Sequence, residues 1–117
     1  MLDTSVIIAF YRGELSSDAK AAIASGESSI SVLTYTELCR YIHLAGRARE
    51  WNEIKAAIST YHILPLTPEV GERAAKEAIR SGLALADAIS YATAAEHGMT
   101  LYTRDADFRK LKNVVLV

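Results

Sequence analysis

The chain has 117 residues, half of them hydrophobic and 23% charged, with a formal net charge of −1. That length supports a single domain over 1–117 with one sizeable core, and that composition excludes a disordered chain. The near-neutral balance excludes a generally basic surface that holds nucleic acid by charge alone, though not a local basic patch.

Leu2 to Ile8 is apolar and β-branched toward its end and reads as a strand, running into a turn near Arg12-Gly13. Leu15 to Ser25 is alanine-rich and reads as a helix with Gly26 as its C-terminal stop. Ser29 to Leu33 alternates as a strand, after which Thr34 or Thr36 is positioned to cap a helix ending at Gly46. Ala48 to Tyr61 has helical spacing, with Trp51, Ile54, Ala57 and Ile58 on one face. His62 to Leu64 reads as a short strand. Thr67 as cap and Pro68 at the first helical position open a helix that runs to Gly82. Asp87 to His97 is a further helix stopped by Gly98, and Thr100 to Thr103 and Asn113 to Val117 read as the last strands. Strands alternating with helices predict an α/β layered fold with a mostly parallel sheet and right-handed crossovers.

Cys39 has no partner for an internal disulfide, and no Cys/His cluster has zinc-site spacing. No apolar run reaches the ~18 residues of a membrane span, and no charged-then-apolar leader precedes the fold. A reducing, cytoplasmic setting with no membrane contact is the expectation.

Sites in such folds form beyond the carboxyl ends of the strands. Asp3 falls in the first strand, Glu37 in the first turn of the helix after SISVL, Asp87 at the start of LADAISYATAA, and Asp105 and Asp107 just after TLYT. Glu50, Glu53, Glu69, Glu72 and Glu77 fall on polar helical stripes and read as solvated. Taken singly, Glu37 and Asp87 are accounted for by the helix dipole, and Asp105 and Asp107 by turn formation. Asp3 has no such account, because its apolar strand provides no partner. Together these carboxylates repel one another unless a cation neutralises them, and Mg²⁺ or a similar hard cation takes oxygen ligands. A metal so held suits phosphodiester hydrolysis.

LDTSVIIA, the glutamate of TELCR, LADAISYATAAEHG and LYTRDADF occur in an order that resembles the PIN-domain ribonucleases, specifically the small VapC-type toxins of toxin–antitoxin pairs. The resemblance spans Leu2 to Val117. It implies a three-layer α/β/α fold, RNA cleavage dependent on Mg²⁺ or Mn²⁺, a homodimer and an antitoxin partner. It places the acids at Asp3, Glu37, Asp87 and a fourth position. The last motif is one residue tighter than in many relatives, leaving Asp105 and Asp107 as alternatives, with Asp105 favoured because it is nearer the strand end. Only Met1 and Leu2 precede the first acid, so the first strand is expected to be short or the chain to lack its native start.

Ser5, two residues beyond Asp3, shares its face on a strand and is a candidate to bond a site carboxylate. Thr103 is a candidate for the same support. Arg104 is a candidate contact to an RNA phosphate, and Arg40 a candidate partner of Glu37 or of RNA. Arg47, Arg49, Arg109, Lys110 and Lys112 are the remaining sources of a local positive field. His43, His62 and His97 lack ligand spacing and read as structural or surface groups. Two other classes compete with the nuclease reading. A receiver or haloacid-dehalogenase-type phosphotransfer domain fits poorly, since the latter requires Asp-x-Asp and position 5 is Ser5. A non-catalytic module would bind RNA or protein without metal and without cleavage.

Overall fold

A computed structural model describes residues 1–24 and 28–117. Its elements are α1 (Thr4–Tyr11), α2 (Ser17–Ala24), β1 (Ser29–Ser31), α3 (Val32–Leu44), α4 (Trp51–Ile58), β2 (His62–Leu64), α5 (Pro68–Ser81), α6 (Leu85–Glu96), β3 (Leu101–Thr103) and β4 (Val114–Leu116), with 3₁₀ turns at Ala48–Glu50 and Ala106–Phe108.

Met1 to Asp3 lies in the middle of the sheet. On one side Leu2 N donates to Ser29 O at 2.9 Å. On the other, Asp3 N donates to Tyr102 O and Tyr102 N to Met1 O, each at 2.9 Å. Outward from these, β1 pairs with β2 and β3 with β4, both in parallel, with Ser29 opposite His62 and Leu101 opposite Val114. The order across the sheet is therefore β2, β1, the Met1–Asp3 segment, β3, β4, parallel wherever a pairing forms.

Successive strand residues point to opposite faces, and the core divides accordingly. Met1 and Leu101 pack with Val70, Ala74, Ala88, Ala92 and Phe108, on the side of α5 and α6. Leu2 and Ile30 pack with Val6, Ala9, Leu38 and Ile58, on the side of α1, α3 and α4. Helices thus cover both faces, giving the α/β/α arrangement. Buried alanines on α6 let it approach α5 closely, and Gly82, at φ +71°, turns the chain between these two helices.

The main difference from the sequence reading lies at the N-terminus. The strand expected over Leu2–Ile8 stops at Asp3, and Thr4 to Tyr11 is helical. The flanking strands end at Ser31 and Thr103, so a longer middle strand would find no ladder partners for its backbone. As a helix the same run satisfies its backbone internally and buries Val6 and Ala9 one turn apart. A short apolar run fits either form, and tertiary packing decides. The strand predicted over Ser29–Leu33 likewise ends early. Ser31, not Thr34 or Thr36, caps α3, its Oγ accepting from Thr34 N at 3.0 Å. Thr34 is buried against that cap, and Thr36 Oγ1 bonds back to Val32 O. Asn113 stands at φ 59° and turns the chain into β4 instead of extending the strand. The stop expected at Gly26 lies outside the described residues. The Thr67 cap and the Pro68 start are as expected, with Val70 N donating to Thr67 Oγ1 at 3.2 Å.

Phe108 is fully buried beneath the loop that follows β3, so its ring anchors the segment carrying Asp105 and Asp107. Phe108→Ala is expected to lower the unfolding free energy by about 3–5 kcal/mol, read from urea midpoints. A loss under about 1 kcal/mol would show that the ring is not what holds this loop.

Candidate metal centre

Asp3 ends the middle segment with its carboxylate buried, and its Oδ2 accepts from Ser5 Oγ and Thr103 Oγ1, each at 2.9 Å. Ser5 reaches it from the first turn of α1, not by strand alternation as the sequence implied. Thr103 reaches it from the neighbouring strand, a hundred positions away in sequence. The two hydroxyls lie 3.4 Å apart, and the backbone N–H groups of Arg104 and Asp105 donate to Ser5 Oγ and Thr103 Oγ1 at 3.1 Å. A buried carboxylate without such donors would be costly, so this network is what lets an acid occupy the sheet edge.

Glu37 sits in the second turn of α3 because Ser31 starts that helix earlier than the sequence implied. The dipole account of this residue therefore weakens, as the effect is confined to the first turn. Its Oε1 instead accepts from Thr4 Oγ1 at 2.8 Å. Thr4 went unremarked in the sequence reading. Its signal was its position directly after Asp3, at what proves to be a strand-to-helix junction.

Asp87 lies in the first turn of α6, where the dipole favours a charged carboxylate by ~0.3–1 kcal/mol. Its surroundings outweigh that. Burial, then the like charges of Asp105, Asp3, Glu37 and Asp107, push its pKa up from 3.8 to about 6. Asp105 caps the 3₁₀ turn, its Oδ1 accepting from Asp107 N at 2.9 Å. This turn points Asp105 and Asp107 the same way. Asp87, Asp105 and Asp107 each offer a carboxylate oxygen within 4.8 Å of the others. The geometry brings both Asp105 and Asp107, the two alternatives for the fourth acid, to Asp87. Hard oxygen donors fit Mg²⁺ or Mn²⁺, and the group has no thiolate or imidazole that would favour a softer metal.

The basic residues divide. Arg104 bonds Glu14 Oε2 at 3.0 Å, tying the loop after β3 to the end of α1. Arg40 is exposed and forms no ion pair with Glu37 among the described residues. Arg47 pairs with Glu50 and Tyr11. Among the glutamates read as solvated, Glu77 departs from expectation. Its side chain is only 12% exposed, held by Arg80 and Ser81. Trp51 packs edge-on to Tyr35 and joins the core. Separately from the acids, an apolar cavity of about 210 Å³ opens between α1, α3 and α4, lined by Ile7, Phe10, Leu38, Tyr41, Ile54 and Ala57 among others.

The PIN domain family model matches residues 1–114. The chain belongs to the PIN domain family. Its fold is similar to chains in a toxin–antitoxin complex from Klebsiella pneumoniae (27% identity over 97% of this chain and 93% of that one, TM-score 0.82). It is similar also to one in FitAcB from Neisseria gonorrhoeae (26% identity, 99% and 95% covered, TM-score 0.81). A DNA-bound VapBC from Salmonella typhimurium shares the fold at 18% identity, with 100% and 95% covered and a TM-score of 0.80. No curated protein matches the chain in sequence.

Because Asp87 holds its proton more tightly in the folded chain than in the unfolded one, its ionisation subtracts from stability. That cost is absent below the unfolded pKa of 3.8 and grows as pH rises through about 6. In metal-free buffer Asp87→Asn is therefore expected to match the parent near pH 4 and to exceed it by about 1 kcal/mol at about pH 7.5, solvent screening included. Urea unfolding at the two pH values measures this, and a variant less stable than the parent at the higher pH contradicts it.

Proposed function

We propose that this chain is a Mg²⁺- or Mn²⁺-dependent endoribonuclease, the toxin of a toxin–antitoxin pair, acting as a homodimer in the cytoplasm. The observation that carries the reading is the convergence of Asp87, Asp105 and Asp107 at the strand edge that also bears Asp3 and Glu37. Asp3, Glu37, Asp87 and Asp105 would hold the ion directly or through water, with Asp107 beside them. A divalent cation, when bound, supplies a water of lowered pKa and offsets charge on a phosphoryl oxygen.

The chain's own contribution is positional. Ser5 and Thr103 fix the rotamer of Asp3, and Thr4 that of Glu37, so these acids present their free oxygens without reorganising. No side chain is required as nucleophile. Arg40 is available to an RNA phosphate, whereas Arg104 would first have to leave Glu14. The apolar cavity between α1, α3 and α4 supports the antitoxin part of the reading, since an apolar segment of a partner protein would gain by burying there. The toxin–antitoxin neighbours support it from a second direction. Exposed Ile79 and Leu85 are apolar side chains available to a dimer contact. No helix among the described residues is long and apolar enough to cross a membrane.

Asp3→Asn and Asp87→Asn, each confirmed folded by circular dichroism, are expected to lower Mg²⁺-dependent cleavage of single-stranded RNA by at least about 100-fold. Chelation should abolish the parent's activity and Mn²⁺ restore it. Undiminished cleavage by either folded variant, or cleavage indifferent to chelator, contradicts the reading.

A further inference from the structure

A cluster of carboxylates repels the polyanion on which it is proposed to act, and a net charge of −1 leaves no general field to compensate. Cations must therefore stand close to the acids and be free to meet a phosphate. Several of the chain's arginines are already committed, Arg47 to Glu50, Arg73 to Glu96, Arg80 to Glu77 and Arg104 to Glu14. Arg109 and Lys110 are exposed and form no ion pair among the described residues.

These two line a hollow of about 420 Å³ together with Arg80, Ser81 and Asp107. Asp107 belongs to both places, so the hollow adjoins the acidic group directly. Its walls are stiff. Phe108 is buried under the loop, Arg109 N and Leu111 N donate to Ala106 O and Phe108 O at 3.0 Å, and Tyr91 Oη donates to Lys112 O at 3.1 Å. On the opposite wall Glu77 grips Arg80 through both carboxylate oxygens and leaves its side chain 68% exposed. A cation on a rigid support loses less entropy on meeting a ligand. No aromatic ring lines the hollow among the described residues, so it has no platform on which a base could stack. Its chemistry is that of a backbone phosphate reader.

We propose that Arg109 and Lys110, in the hollow beside Asp107, bind a backbone phosphate of single-stranded RNA, adjacent to the phosphodiester presented to the acids. The proposal rests on the ribonuclease reading above and adds where the strand runs and that it is gripped there without regard to sequence.

The test compares the full-length parent, Arg109→Ala/Lys110→Ala, and a charge-matched control, Lys20→Ala/Lys55→Ala, on a fluorescent single-stranded RNA over a range of salt. In the hollow variant KM is expected to rise roughly tenfold with kcat within about twofold, and the slope of log kcat/KM against log salt to become shallower by about 0.7, one phosphate contact on a single strand. The control should match the parent. An unchanged KM and slope in the hollow variant, an equal loss in the control, or a fall in kcat alone overturns the proposal while leaving the nuclease reading standing. A parent that does not cleave RNA overturns both, and a stronger effect on duplex DNA binding than on single-stranded RNA overturns the assignment to RNA.

Discussion

A carboxylate buried at the end of the central segment is the constraint from which the rest of this edge follows. Asp3 can stay there only because Ser5 and Thr103 donate to the same oxygen. That requirement accounts for the sharp change from strand to helix after Asp3. An extended chain would carry Ser5 away along the sheet, whereas the first turn of α1 folds it back beside Thr103. The same turn sends Thr4 to Glu37, so two neighbouring residues orient acids on different elements.

Repulsion is the second consequence. At Asp87 the helix dipole acts in favour of the charge, yet burial and four neighbouring carboxylates prevail and raise its pKa to about 6. A fold that served only its own stability would have little reason to gather acids at one place. A site that exchanges the repulsion for attraction when a divalent cation arrives does have one. The basic surface beside Asp107 belongs to the same electrostatic logic, since the acids alone would hold a nucleic acid off.

Much of this was legible in the sequence, and the reasons differ by residue. Thr67-Pro68 and Gly82 announce helix ends through local backbone chemistry, which acts over a few residues and survives folding unchanged. The alternation of strands and helices carried the parallel, layered architecture. Asp3 stood out because its apolar strand provides no partner, whereas Glu37, Asp87, Asp105 and Asp107 each had a local account and drew notice only in combination. The form of Thr4–Tyr11 was not legible, because TSVIIAFY satisfies strand and helix patterns alike and the outcome depends on where β1 and β3 stop. Nor was the joint presence of Asp105 and Asp107, which needs the capped turn between them. Thr4's bond to Glu37 spans 33 positions and has no local signature at all.

The central claim is that the acidic group is a cation site whose repulsion a metal relieves. Titration calorimetry with Mn²⁺, run near pH 5.5 and near pH 7.5 in buffers of different ionisation enthalpy, tests it most directly. Since the pKa of Asp87 is about 6, binding at the lower pH should be weaker and displace about three-quarters of a proton, and binding at the higher pH should displace almost none. Absence of Mn²⁺ binding at either pH, or affinity and proton release unchanged in Asp87→Asn, would contradict the account.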